Sequence, residues 1–181
     1  MNLGVTLNHV PLWSQQKDGD PTTGGQAANW ANNCGPESLA VCVSFFSGVE
    51  LWAEIVKDVL YGQSYTGYTD WDHLTRYLGE HCGCPAGVYT TTDADTALQH
   101  LRAYLDRGHI ALALFYENVG AQTGGHYSPV YAYTADSTGR LLTVTRMNVW
   151  NAVAESMSVE QFRQAYNGGI MELHRQRSVI L

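Results

Sequence analysis

The chain has 181 residues, with 17 Asp and Glu against 10 Lys and Arg, and so a formal net charge of -7. A hydrophobic share of 45% beside a charged share of 15% excludes a disordered chain and provides for a real core, with no need of a metal or disulfide staple. The basic residues are scattered rather than gathered into a stripe, which argues against nucleic acid as a partner, and no run approaches the roughly 18 apolar residues of a membrane span.

The length suits one domain over residues 1–181. Met1 to Gly4 carries no basic stretch with a long apolar run behind it, so the product is expected in the cytoplasm as synthesised, with release by lysis or in a phage particle left open. Four cysteines, at 34, 42, 82 and 84, are expected as free thiols.

In chain order, residues 1–33 read as a lead-in arm, with "HVPLWSQQ" extended and "KDGDPTTGGQ" a turn-rich loop. "GPESLAVCVSFFSG" predicts a mostly apolar helix with Pro36 in its first turn and Gly48 at its end. "VELWAEIVKDVLYG" predicts a second, with Leu51, Ile55, Val59 and Leu60 on one face and Glu54 and Asp58 pointing elsewhere. "TDWDHLTRYLGEH", capped by Thr69 or Asp70, and "TDADTALQHLRAYLDRG" predict two more, separated by a short "AGVYT" strand. After Gly108, "HIALALFYE", "HYSPVYAYTA" and "RLLTVTRMNVW" are strand-length runs, the last two joined by a "DSTG" hairpin loop. A closing helix, "SVEQFRQAYNGG", and a strand, "IMELHRQ", complete an α+β chain expected in two layers, a helical half packed on an antiparallel sheet.

The residue that raises a chemical question is Cys34, where a loop turns into a helix. A thiol is nucleophilic as thiolate, and the free amides and dipole of a helix start favour that anion. A base delivered from a rigid strand would complete the site. His126 fits, opening a strand after Gly124-Gly125; its competitor His109 reads more simply as a helix-to-strand junction, and His100 and His174 as surface residues. The imidazole needs an orienting group at the end of the next strand, and Asn148 stands there with Asn151 as rival. For the oxyanion, the Cys34 amide is one donor, and Gln15, Gln16 and Gln26 are candidates for the second. Cys42, two turns into an apolar helix, is expected in the core. "HCGC" after His73 lacks the spacing of a zinc knuckle, so neither metal nor cofactor is expected.

"VPLWSQ", "NCGPESLAV", "GGHYSPVYAY" and "MNVWN" arrive in the order Gln, Cys, His, Asn, and the chain resembles a papain-fold cysteine peptidase. More narrowly, it is similar to the family related to the leader peptidases of bacteriocin exporters, over Val10 to about Gly169. Val149 follows the third-position residue where such families usually have proline. The resemblance implies Cys34 as nucleophile, His126 as general base then acid, Asn148 as orienter and Gln15 as oxyanion donor. It also implies amide hydrolysis through a thioester, with a peptide, protein or cell-wall peptide as substrate. Cleavage of peptidoglycan cross-links, acyl transfer by the same machinery, and a papain-fold binding module without catalysis are the alternative readings.

Overall fold

The computed structural model describes residues 3–17, 30–84, 86–119 and 122–173. Helix α1 (Cys34–Ser47) tolerates Pro36 because the first-turn amides have no partner inside the helix, and it stops at Gly48, which takes a left-handed φ of 71°. Strand β1 (Leu3–Thr6) precedes it, and helices α2 (Ala53–Tyr61) and α3 (Trp71–His81) follow. Of the two capping candidates for α3, Asp70 takes the role, its side chain accepting from the His73 amide at 2.8 Å. The rest of the chain runs β2 (Val88–Thr90), α4 (Ala94–Asp106), β3 (Ile110–Val119), β4 (Gln122–Ala135), β5 (Leu141–Asn148), β6 (Val153–Ser158), α5 (Val159–Ala165) and β7 (Tyr166–Leu173).

The strands form one antiparallel sheet in the order β2-β7-β3-β4-β5-β6. Strand β4 is its spine. The first part of β4 pairs with β3 as far as Ala111 opposite Val130, after which β1 takes over, with Thr6 opposite Ala132 and Leu3 opposite Ala135. The arm expected before Cys34 thus contributes a strand, and β6, also absent from the sequence reading, continues the sheet beyond β5.

Helices cover both faces of this sheet, a departure from the two layers expected. On one face α1, α2 and α3 pack Leu39, Val56, Leu74 and Leu78 against Ile110, Leu112, Met171 and Leu173. On the other, α4 and α5 pack Leu98, Leu101, Leu105 and Phe162 against Ala111, Ala113, Phe115, Val130 and Ile170. The cause is visible in "IALALF": a strand apolar at successive positions has no face left for water. Cys42 lies in the first of these cores, as expected. None of the helices among the described residues is long and apolar enough to cross a membrane.

Two further expectations are corrected. In α2, Ile55 and Val59 are 41% and 47% exposed, whereas Ala53, Glu54, Val56, Lys57 and Leu60 are buried. The helix is rotated because Lys57 can be taken inside: its ammonium lies 2.6 Å from Glu54, 2.8 Å from Asp58 and 3.1 Å from the Gln63 carbonyl. The closing helix ends at Ala165 rather than near Gly169, since Tyr166 already pairs with Phe115 of β3 and stacks on Phe162.

Phe162 is fully buried, meeting Phe115 edge-on at 5.7 Å and Tyr166 at 5.4 Å. Phe162→Ala is expected to cost about 3–5 kcal/mol, read as a lower denaturant midpoint with an unchanged slope.

Candidate active site

Cys34 is the first residue of α1, so its own amide and those of the first turn are free of helical partners. The helix start is held against strand β4 by Ser38, whose buried hydroxyl donates to the Tyr127 carbonyl at 2.9 Å. Gly35 allows a further close approach, for a Cβ there would lie 2.6 Å from the side chain of Thr69. Behind the cysteine, the buried Asn33 donates through Nδ2 to Glu54 at 3.1 Å, which ties the residue before the sulfur to the buried Lys57 cluster of α2.

A cleft of about 260 Å³ opens over this helix start, lined by Cys34, Gln15, His126, Glu117, Trp150 and the Gly124-Gly125 pair, among others. Gly124 has φ 150° and open space where a Cβ would stand, so the β4 backbone forms part of the cleft wall. His126, opposite Phe115 on the neighbouring strand, is 4% exposed.

The His126 Nε2 lies 3.1 Å from the Asn148 Oδ1. Oδ1 also accepts the Trp150 amide at 3.0 Å, while Nδ2 of the same asparagine donates to Glu155 at 2.9 Å. An oxygen only accepts, so Nε2 carries the ring proton and Nδ1 keeps its lone pair. Asn151 is exposed and meets Asn148 only through the backbone, its amide 3.4 Å from the Asn148 carbonyl.

Gln15 is fully buried, its amide bonded to the Val149 carbonyl at 2.7 Å. Its Nε2 donates to the carbonyls of Trp30 at 3.0 Å and Ala31 at 3.3 Å. Gln16 is exposed, and Gln26 lies outside the described residues. His109 is absent from the cleft lining and sits 2.5 Å from Glu172; His100 stacks on Tyr89, and His174 lies outside the described residues. Among the described residues no group of three or more His, Cys, Asp or Glu is placed to hold a metal ion.

The feature the sequence reading missed is the ionic support beneath Asn148. Arg146, 5% exposed, packs over the Phe115 ring and pairs with both Glu117 and Glu155, the latter through Nε at 3.2 Å and Nη2 at 2.7 Å. Arg146 and Asn148 are two residues apart on β5 and so share a face, and Glu155 stands opposite Arg146 on β6. Without knowledge of β6, nothing in the sequence linked Glu155 to this place.

Electrostatics leave both Cys34 and His126 neutral at rest. Burial pushes the Cys34 thiol up and outweighs the opposing pull of the Tyr127 and Gly35 backbone amides, so the helix start by itself does not favour the anion as expected. Burial, then the charge of Arg146, brings His126 down to about 4. The unfolded imidazole, near its ordinary 6.5, therefore takes up a proton that the folded one refuses, and His126 erodes stability as pH falls from about 6.5 to about 4. Stability of the wild type is expected to drop more steeply across that window than that of His126→Gln, as read by denaturant unfolding at each pH. The raised thiol predicts in addition that alkylation of Cys34 by iodoacetamide keeps accelerating above pH 9, beyond the ordinary thiol value.

No family model and no curated protein matches the chain. Solved structures do. The interpain A cysteine protease of Prevotella intermedia aligns over 94% of this chain and 94% of its own, with 12% identity and a TM-score of 0.54. The Salmonella effector SpvD, in its G161 variant, aligns over 81% of this chain and 70% of its own, with 9% identity and a TM-score of 0.50. At these identities the likeness concerns the fold, which for this chain is α+β and similar to that of a papain-like cysteine protease.

Proposed function

We propose that the chain is a single papain-like unit that hydrolyses amide bonds with Cys34 as nucleophile. One observation carries the reading: a cysteine at a helix start and a histidine whose Nε2 is bonded to an asparagine oxygen line the same cleft. That bond leaves Nδ1 free to take a proton. In the reaction the thiol proton passes to Nδ1 as the sulfur attacks the carbonyl carbon, which suits a pair that is neutral at rest. The imidazolium then protonates the leaving amine, and water, deprotonated in turn by Nδ1, releases the acid from the thioester. Asn148 holds the ring throughout. The Cys34 amide and Gln15 face the oxyanion, with Gln15 giving up its longer contact, the 3.3 Å one to Ala31.

The narrower affiliation, with leader peptidases of bacteriocin exporters, is supported by the motifs around Gln15, Cys34 and His126. It makes a peptide leader the first substrate to try and cell-wall cross-links the second. A peptide library and purified cell wall, each with Cys34→Ala as blank, form the test. Turnover by the wild type, absent in Cys34→Ala and lowered at least about a thousandfold in His126→Ala, is the expected result, with an acyl adduct on Cys34 detectable by mass. Gln15→Ala should lower kcat by roughly 10²–10³. Equal turnover by wild type and Cys34→Ala would remove Cys34 as the nucleophile, and turnover by neither would leave a binding module as the function.

A further inference from the structure

Glu155 is held by two donors at once. Its Oε1 accepts Nδ2 of Asn148 at 2.9 Å and its Oε2 accepts Nη2 of Arg146 at 2.7 Å. A carboxylate suits this place because both of its ends are acceptors and both of its neighbours present N–H groups. The Asn148 amide, in turn, has its orientation decided from behind. With Nδ2 turned toward Glu155, Oδ1 is the end left for His126 and for the Trp150 amide.

We propose that Glu155 is a positioning residue that sets the tautomer of His126. It fixes which way round the Asn148 amide sits, and through it which ring nitrogen bears the proton. The proposal rests on the reading of Cys34, His126 and Asn148 as the reacting set. Its physical content is a parity rule along the chain of contacts. Arg146 only donates, Glu155 only accepts, so Asn148 must donate backward and accept forward, and His126 must donate from Nε2.

Replacing one acceptor end with a donor inverts the rule. In Glu155→Gln the guanidinium claims the new carbonyl, and the new NH2 faces Nδ2 of Asn148, donor against donor. Asn148 then meets a donor either way, the new NH2 as it stands or the Trp150 amide once turned over, so the turned form, which presents its NH2 to His126, becomes populated. The ring then keeps its proton on Nδ1, where it can no longer receive one from Cys34. A second substitution separates this from mere loss of packing. When Arg146→Met and Glu117→Gln accompany Glu155→Gln, the glutamine is free to turn its carbonyl to Asn148 and the original order returns.

The test is long-range proton–nitrogen correlation of His126 in the full chain labelled with 15N-histidine, with kcat measured alongside on whichever substrate the wild type turns over. We expect the Nε2–H form in the wild type, Nδ1–H or a mixture in Glu155→Gln, and Nε2–H again in the triple variant. Because a wrong tautomer disables the base, kcat should fall by roughly 10²-fold or more in Glu155→Gln, with KM little changed, and recover in part in the triple variant. Nε2–H persisting in Glu155→Gln, or Nδ1–H in the wild type, overturns the proposal. If Glu155→Gln does not fold, the triple variant decides: Nε2–H supports the rule and Nδ1–H refutes it. Should the wild type turn over nothing while the tautomer still switches, the amide-orienting role stands and the hydrolase reading falls.

Discussion

The seam between the start of α1 and strand β4 is the contact on which the rest depends. Ser38 bonds to the Tyr127 carbonyl, and the Tyr127 amide reaches the sulfur of Cys34, so one residue of the sheet, adjacent to His126, meets the helix twice. Cys34 and His126 come from distant stretches of chain, and neither is placed by its own element alone. What places them is the covering of both sheet faces, which leaves β3, β4 and β7 with little freedom to slide under the helices. A packed interior transmits such a constraint because it has few voids to absorb movement.

The same burial governs the electrostatics. It raises the thiol, lowers the imidazole, and forces the charges that remain inside to pair. Two clusters result: Lys57 with Glu54 and Asp58 beside Asn33, and Arg146 with Glu117 and Glu155 beside Asn148. In both, a polar side chain next to the cleft is held by a carboxylate, and that carboxylate by a cation. The asparagines thereby acquire a fixed orientation that an apolar surround would not give them.

Much of this was legible in the sequence, for identifiable reasons. Gly48 and the Asp70 cap bound helices by local backbone rules, and the order Gln, Cys, His, Asn survives because loop-to-helix and turn-to-strand junctions are written in short motifs. Gln15, Cys34 and His126 line one cleft, and Asn148 rather than Asn151 meets the histidine. What could not be read depends on partners far along the chain. Strand β1 is defined by its pairing with β4, and the rotation of α2 by the chance to bury a lysine between two carboxylates. Periodicity turned Ile55 and Val59 inward and Glu54 away because it weighs side chains singly. Glu155 escaped for the same reason, its role existing only once β6 lies beside β5.

The Lys57 cluster also divides the molecule by its response to ionic strength. Pairs such as Arg163 with Asp95 and Arg107 with Glu172 lie in contact with the solvent, where dissolved ions compete for them. The ammonium of Lys57 is sealed from solvent, and Glu54 nearly so, which puts both out of reach of that competition. Brine therefore slackens the outer joints of the sheet and helices first, while the grip on Asn33, one residue before the sulfur, stays as it was.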